Sequence, residues 1–398
     1  MGGILFLGGG STVTIAQRMF EGMNSFALLA IPLYTFAGFT MSKGGISKRL
    51  MDFCYSIVGH IYGGLAHVNV LSSMIFAGIS GSAVADTAGV SGMFMPEMIR
   101  KGYSKNFTVA VTAISSTIGI IIPPSIPMVV IAGICGISTG KLFLGGIIPG
   151  ILCGLAQMIV SYFLAKKEGV PKEPGHFTIG PVLHGLWESW PALLMPIIIV
   201  GTITMGIVSP TEAGVIAVVY GLFAGGIIYR ELKWEDIKFA FAETVRTSGR
   251  IFIVIGAAKL YTVMLTTAGF DKWVAKTMLG FSTNPTVILI MILLIFFIVT
   301  MFMESIATLT LFMPILYPIA LGVGINPIVL SVLITVVIGI GLVTPPVGMC
   351  IYVACDLMDT TVGEVFPTLV PFIAATFVCI ALMVAFPQLI LLPTYLMA

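Results

Sequence analysis

The chain has 398 residues, of which 19 Lys and Arg and 17 Asp and Glu carry charge, only 9%, while 58% are hydrophobic. Soluble globular proteins use about 25% charged residues and need polar groups to cover their outside, so soluble, secreted disulfide-rich, fibrous and disordered classes are excluded and a polytopic membrane protein is left. The net charge of +2 is too small to point to nucleic acid.

Residues 1–10 are too few to cross a bilayer, and they lack the basic region and cleavage motif of a signal peptide. Residues 12–24 read as a short amphipathic arm helix. Apolar segments follow at 26–41, 65–81, 83–98, 107–137 and 142–165. The pair spanning 65–98 is joined by Ser80-Gly81-Ser82 without a polar loop, which predicts a re-entrant hairpin. Segment 107–137 is interrupted at Pro123-Pro124 and reads as one broken helix. Residues 166–185, rich in Pro, Gly and charge, form a polar linker. Scaffold spans are expected within 190–229, at 190–208 and 213–229. A second amphipathic arm follows at 231–250, where Trp234, Ile237, Phe239, Phe241 and Val245 alternate with charges. Beyond a span at 251–268 come a second hairpin over 287–322 and a second broken helix over 328–357. A last span covers 366–391. The 45 Gly and 22 Pro suit transporters and channels, where broken helices line a cavity, better than simple anchors.

The two halves, 1–165 and 186–398, repeat. Aligning Met95-Pro96 with Met313-Pro314 puts Asp86 on Glu304 at an offset of 218. Aligning the two Pro-Pro pairs puts Gly119 on Gly341 at an offset of 222. Basic residues at Arg100–Lys105, Lys166–Lys172 and Arg230–Lys238 mark cytoplasmic ends, and tracing the spans between them makes the repeats inverted. Inverted repeats with broken helices place binding sites near the midplane. The second half has a span before its arm helix and the first half has only residues 1–10. The chain is therefore expected to lack a first helix, through truncation or a late start, unless residues 1–10 are an interfacial stub.

Two clusters share one chemical logic. In the first, the tip Ser80, Gly81 and Ser82 meets the break at Gly119, Ile122, Pro124 and Ser125. In the second, Glu304, Ser305 and Thr308 meet Gly341, Thr344 and Pro346. Carbonyls freed by proline, with hydroxyls nearby, make an oxygen cage suited to a hard monovalent cation such as Na⁺. Converging helix N-termini could instead hold a carboxylate, so Ser82, Asp86, Ser125 and Glu304 are candidate substrate and tip residues. The plainer alternative is that each Pro-Pro is a packed kink and each hydroxyl bonds its own helix. Asp86 and Glu304 could carry protons, ligate ions or cap the hairpin helices, the capping role being favoured. Glu97 is expected to pair with Arg100 or Lys101, and Glu212 to sit at a helix N-terminus. Four scattered His and six unclustered Cys offer no metal site beyond Na⁺ and no disulfide framework. Gly78-Ile79-Ser80-Gly81 fits the short pattern of an intramembrane serine protease, but His60 and His67 lie too near in sequence to be obvious partners.

The runs SGSAVADTAG (80–89), IIPPSIPM (121–128), LFLGGIIPG (142–150), SPTEAG (209–214) and GLVTPPVG (341–348) resemble the large membrane subunit, DctM, of TRAP transporters, over nearly the whole chain from about Ile15. The resemblance implies an all-α transporter subunit, not an enzyme, in the bacterial inner membrane among lipid. It would import an organic acid with Na⁺ as coupling ion and no organic cofactor. Its partners would be a periplasmic substrate-binding protein and a small four-helix DctQ-type subunit, and it would work as an elevator. The family usually shows Asp where this chain has Glu304. A stand-alone carrier or Na⁺/H⁺ antiporter of the same superfamily is the alternative.

Overall fold

A computed structural model describes residues 12–170 and 178–397. The expected stub at 1–10 and the middle of the linker, with His176, lie outside the described residues. The helices are α1 (Thr12–Met23), α2 (Ala30–Lys43), α3 (Ile46–Val58), α4 (Gly64–Ser80), α5 (Ala83–Arg100), α6 (Lys105–Ser116), α7 (Ile126–Cys135), α8 (Thr139–Lys167) and α9 (Ile179–Thr204). They continue as α10 (Pro210–Phe223), α11 (Trp234–Thr267), α12 (Phe270–Phe281), α13 (Pro285–Thr300), α14 (Ser305–Gly322), α15 (Pro327–Gly341), α16 (Met349–Asp356), α17 (Val362–Ala385) and α18 (Gln388–Leu391). Short 3₁₀ turns at Phe26–Leu29 and Thr117–Ile120 lead into α2 and out of α6.

Seven helical stretches among the described residues are long and apolar enough to cross a membrane, including α8, α9, α11, α14 and α17. The shorter apolar helices are Gly64–Gly78, Ile126–Cys135, Pro285–Thr300 and Pro327–Gly341. All four lie in the segments expected to form hairpins or breaks. Short polar caps start several of the helices. Ser104 accepts from Phe107 N–H at 3.1 Å, and Asn326 accepts from Ile328 N–H at 2.9 Å. Ser209 and Glu212 form a reciprocal capping box at α10, the position expected of Glu212. Glu97 pairs with Arg100.

Helix bounds recur along the chain. Ala83–Arg100 and Ser305–Gly322 differ by 222 at both ends, as do Lys105 and Pro327, Thr12 and Trp234, and the left-handed Gly102 and Gly324. Both Pro-Pro bonds, at the same offset, are cis. The helix bounds follow 222, where 218 was expected for the hairpins. At 222 Pro96 falls on Pro318 and Glu304 on Ser82, not on the pairs expected at 218. Three further boundaries differ from expectation. The arm 231–250 and the span 251–268 are one uninterrupted helix, α11, because no proline or tight turn separates them. Residues 179–185, assigned to the linker, are the first turns of α9. The amphipathic helices α3 and α12 follow the turns at Gly45 and Gly269, both left-handed, where charge among the apolar residues hid them.

Two groups of helices result. On one side α1, α2, α3, α9, α10 and α11 pack on each other, with α2 against α10 and α11. On the other, α4–α8 and α13–α17 surround α6 and α15. Every residue of α6 from Phe107 to Ser116 and of α15 from Ile328 to Gly341 is buried, as expected of α15, which is apolar on nearly all faces. The halves interlock there. α16 packs on α5 and α6, while α14 packs on α7, and a Cβ on Gly339 of α15 would lie 3.2 Å from Thr117 Cβ.

Phe107 anchors this core, fully buried between Tyr103 and Phe372 with ring centroids at 5.6 and 6.4 Å. Phe107→Ala should destabilise the purified protein by about 3–5 kcal/mol. Phe281→Ala, at a side chain 76% exposed, should change stability by less than ~0.5 kcal/mol. Thermal unfolding in detergent distinguishes the two.

Candidate functional site

A helix break deep in the protein exposes main-chain groups that need partners. At the first break the hairpin tip supplies them. α4 ends at Gly81, whose φ of 63° reverses the chain, and α5 starts at Ser82, whose hydroxyl accepts from Ala85 N–H at 3.4 Å. The Gly81 carbonyl accepts the Ile126 N–H at 3.2 Å, so tip and break are joined through the main chain. A Cβ on Gly81 would lie 2.7 Å from the Pro124 carbonyl oxygen; the contact is open only to glycine. Ser125 closes the gap from the other side, donating to the Ile120 carbonyl at 2.5 Å and accepting from Met128 N–H at 3.3 Å. Its hydroxyl hydrogen therefore serves the break itself.

Asp86 sits one turn into α5 and is buried. Ser80 donates to its Oδ1, and the Ser82 N–H donates to Ser80 Oγ at 3.2 Å. Its Oδ2 faces the space that a side chain on Gly119 would fill, and no protein group bonds it. Asp86 is thus not the cap of α5, as expected for it; Ser82 is. The structure brings Ser80, Gly81, Ser82, Asp86, Gly119, Pro124 and Ser125 together. The Ile122 side chain lies apart from them, against Gly150 of α8.

At the second break Val347 N–H donates to the Met301 carbonyl at 3.0 Å. Gly341 lies on Thr300 at the end of α13, where a Cβ would fall 2.6 Å from Thr300 Cβ. Glu304 caps α14, accepting from Ser305 Oγ at 2.5 Å and from the N–H groups of Ile306 and Ala307 at 2.8 and 3.3 Å. The capping role expected of it is therefore met, on three donors. Thr308 donates to the Glu304 carbonyl at 3.0 Å and Thr344 to the Ile340 carbonyl at 2.7 Å. These hydroxyls spend their hydrogens on their own helices and keep oxygen lone pairs. Pro346 is exposed, and its carbonyl accepts from Tyr352.

Residues not singled out from sequence tie the clusters together. Cys350, fully buried in α16, sits where that helix packs on α5 and α6. Asn69 donates to Thr112 at 2.8 Å and accepts from Ser115 at 3.0 Å, and Ser73 donates to Ser115 at 3.0 Å. This buried network fixes α4 on α6. Its signal was legible as polar residues three or four apart on each helix, at 69 and 73 and at 112 and 115. Among the described residues no group of His, Cys, Asp and Glu could hold a metal ion on its own. Ser80 donates to a carboxylate and not to a histidine, and His67, thirteen residues earlier on the same helix, is ~20 Å away along its axis. A serine-protease pairing is absent there.

Residues 2–389 match the DctM component of the tripartite ATP-independent periplasmic transporters. The chain is 37% identical over 360 residues to the isethionate TRAP transporter permease protein DctMQ of Oleidesulfovibrio alaskensis, covering 90% of this chain but only 57% of that relative's length. It is 36% identical to the sialic acid TRAP transporter large permease protein SiaM of Vibrio cholerae, covering 95% of this chain and 88% of that one. It is 34% identical to the C4-dicarboxylate TRAP transporter large permease protein DctM of Pseudomonas aeruginosa, over 99% and 92%. Among solved structures, the Alcanivorax borkumensis YdaH transporter superposes with a TM-score of 0.63 at 13% identity, over 93% of this chain and 86% of that one. That likeness shows the fold alone.

The cap at Glu304 makes a direct test. Glu304→Ala should cost about 1 kcal/mol of stability, whereas Glu304→Asp, which keeps an acceptor for the same N–H groups, should cost less than half of that. Thermal unfolding of the two variants in one detergent measures the difference.

Proposed function

The chain belongs to the DctM family of TRAP transporter large permease subunits, and from that premise we propose that it imports an organic acid across the bacterial inner membrane by coupling to Na⁺. It does so with a periplasmic substrate-binding protein and a small four-helix membrane subunit. The observation that carries the coupling is the pair of junctions at which a hairpin tip bonds the main chain of a broken helix, Gly81 with Ile126 and Met301 with Val347. A hard monovalent cation needs several oxygens and no strong field. Each junction offers carbonyls beside a proline pair and hydroxyl oxygens already oriented by their hydrogen bonds. At the first, Ser82 and Asp86 Oδ2 are the side-chain oxygens to hand. At the second they are Thr308 and Thr344, with Glu304 held as a cap. The acid would bind beside Cys350 of α16, which packs on α5 and α6.

The constant offset of helix bounds, with basic residues at opposite ends of equivalent segments, supports inverted repeats. The division into one group holding both hairpins and another holding the long α9, α10 and α11 supports an elevator, with the first group sliding on the second. Relatives named for isethionate, sialic acid and C4-dicarboxylates favour an organic acid as cargo. Because the relatives are named as permeases, transport takes precedence over catalysis.

In proteoliposomes holding the chain, its small subunit and its binding protein, uptake should require an inward Na⁺ gradient. Ser82→Ala and Thr344→Ala should each raise the Na⁺ concentration for half-maximal uptake by about tenfold, the loss of ~1.4 kcal/mol from one ligand. Equal uptake without Na⁺, or unchanged Na⁺ activation in both variants, contradicts the coupling.

A further inference from the structure

α11 carries a single charged residue between Ile251 and Thr267, Lys259. An ion in such a segment is costly unless it serves a purpose. It lies nine residues from Arg250 and eight from the end of the helix, ~13 and ~12 Å along the axis. A lysine stem reaches roughly 6 Å, so the ammonium cannot escape to either end. α1 also fixes its direction. Gly22 sits against the lysine stem so closely that a Cβ there would be 2.6 Å from Lys259 Cβ.

The side chain lines a cavity of about 170 Å³ between the two helix groups. Glu21 and Ser25 bound it on the side of α1, and Val130, Gly133 and Thr310 bound it on the side of α7 and α14. Those last two helices begin at the two junctions, just after Ser125 and Glu304. The one carboxylate in the wall, Glu21, is held by Arg18 at 2.9 Å. Among the described residues Lys259 has no ion-pair partner within 4.0 Å. Lys259 is itself exposed, so its positive charge stands where an anion entering the cavity can reach it.

We propose that Lys259 is a scaffold-side contact for the acidic group, carboxylate or sulfonate, of the transported anion, which passes it as the α7–α14 face moves along α11. This rests on the carrier reading above. It adds a fixed cation on the arm helix, away from both cation clusters, that selects for anionic cargo.

The test is uptake by the full chain reconstituted with its small subunit and binding protein, using radiolabelled succinate, N-acetylneuraminate and isethionate. Lys259→Gln should raise KM for the acid carried by about tenfold or more, with the Na⁺ activation curve unchanged. Lys259→Arg should stay within about threefold of wild type. A wild-type KM in Lys259→Gln overturns the inference and leaves the carrier reading standing. Loss of uptake in both variants with a lowered unfolding temperature also overturns it, since the lysine is then structural. No Na⁺-driven uptake of any of the three acids by the wild type overturns the carrier reading, and the inference with it.

Discussion

A peptide N–H or carbonyl at membrane depth has no water to bond, so an interrupted helix survives there only if another segment completes it. This chain interrupts two helices, α6 to α7 and α15 to α16, in its most buried region. It completes each with the tip of a hairpin, through Ile126 to Gly81 and Val347 to Met301. Much of the molecule follows from that requirement. The tips need glycine or a cap where they reverse, hence the left-handed Gly81 and the capping Glu304. The breaks need small residues where side chains approach, hence Gly119 under Asp86 and Gly341 on Thr300. The buried network of Asn69, Ser73, Thr112 and Ser115 holds the first hairpin in register with the helix it completes.

Gly81 and the two Pro-Pro pairs made the first hairpin and both breaks legible in the sequence. The second hairpin, whose tip has neither glycine nor proline, was read from its likeness to the first. The register between the halves was less legible. Pro314 and Pro318 lie one turn apart on α14, and it is the helix bounds that put Pro318 at the common offset from Pro96. Asp86 and Glu304 consequently looked alike in sequence. In space one is a buried carboxylate with a free oxygen and the other is a helix cap. Continuity was also hidden, since the change from amphipathic to apolar composition near Arg250 looks like a boundary while the backbone of α11 runs straight through it.

What sequence could not reach was the meeting of elements far apart in the chain. Cys350 lies on α16 where the second half packs on α5 and α6 of the first, and Lys259 faces a cavity walled by α1, α7 and α14. Neither has a local motif, and each stands in an apolar run that reads as packing. The hydroxyls of Ser125, Thr308 and Thr344 show the opposite case. Their types were read correctly as polar groups at breaks, yet each gives its hydrogen to a nearby carbonyl. That stiffens the backbone and leaves only oxygen lone pairs facing outward. A site made of such oxygens would favour a cation over an anion.

We propose the two hairpin–break junctions as the cation sites. Equilibrium binding of ²²Na⁺ to the purified chain with its small subunit tests this most directly, comparing wild type with a Ser82→Ala/Thr344→Ala double variant of matched thermal stability. Saturable binding by the wild type that the double variant loses is the expected result. Identical saturable binding by both, or none by the wild type, would contradict it.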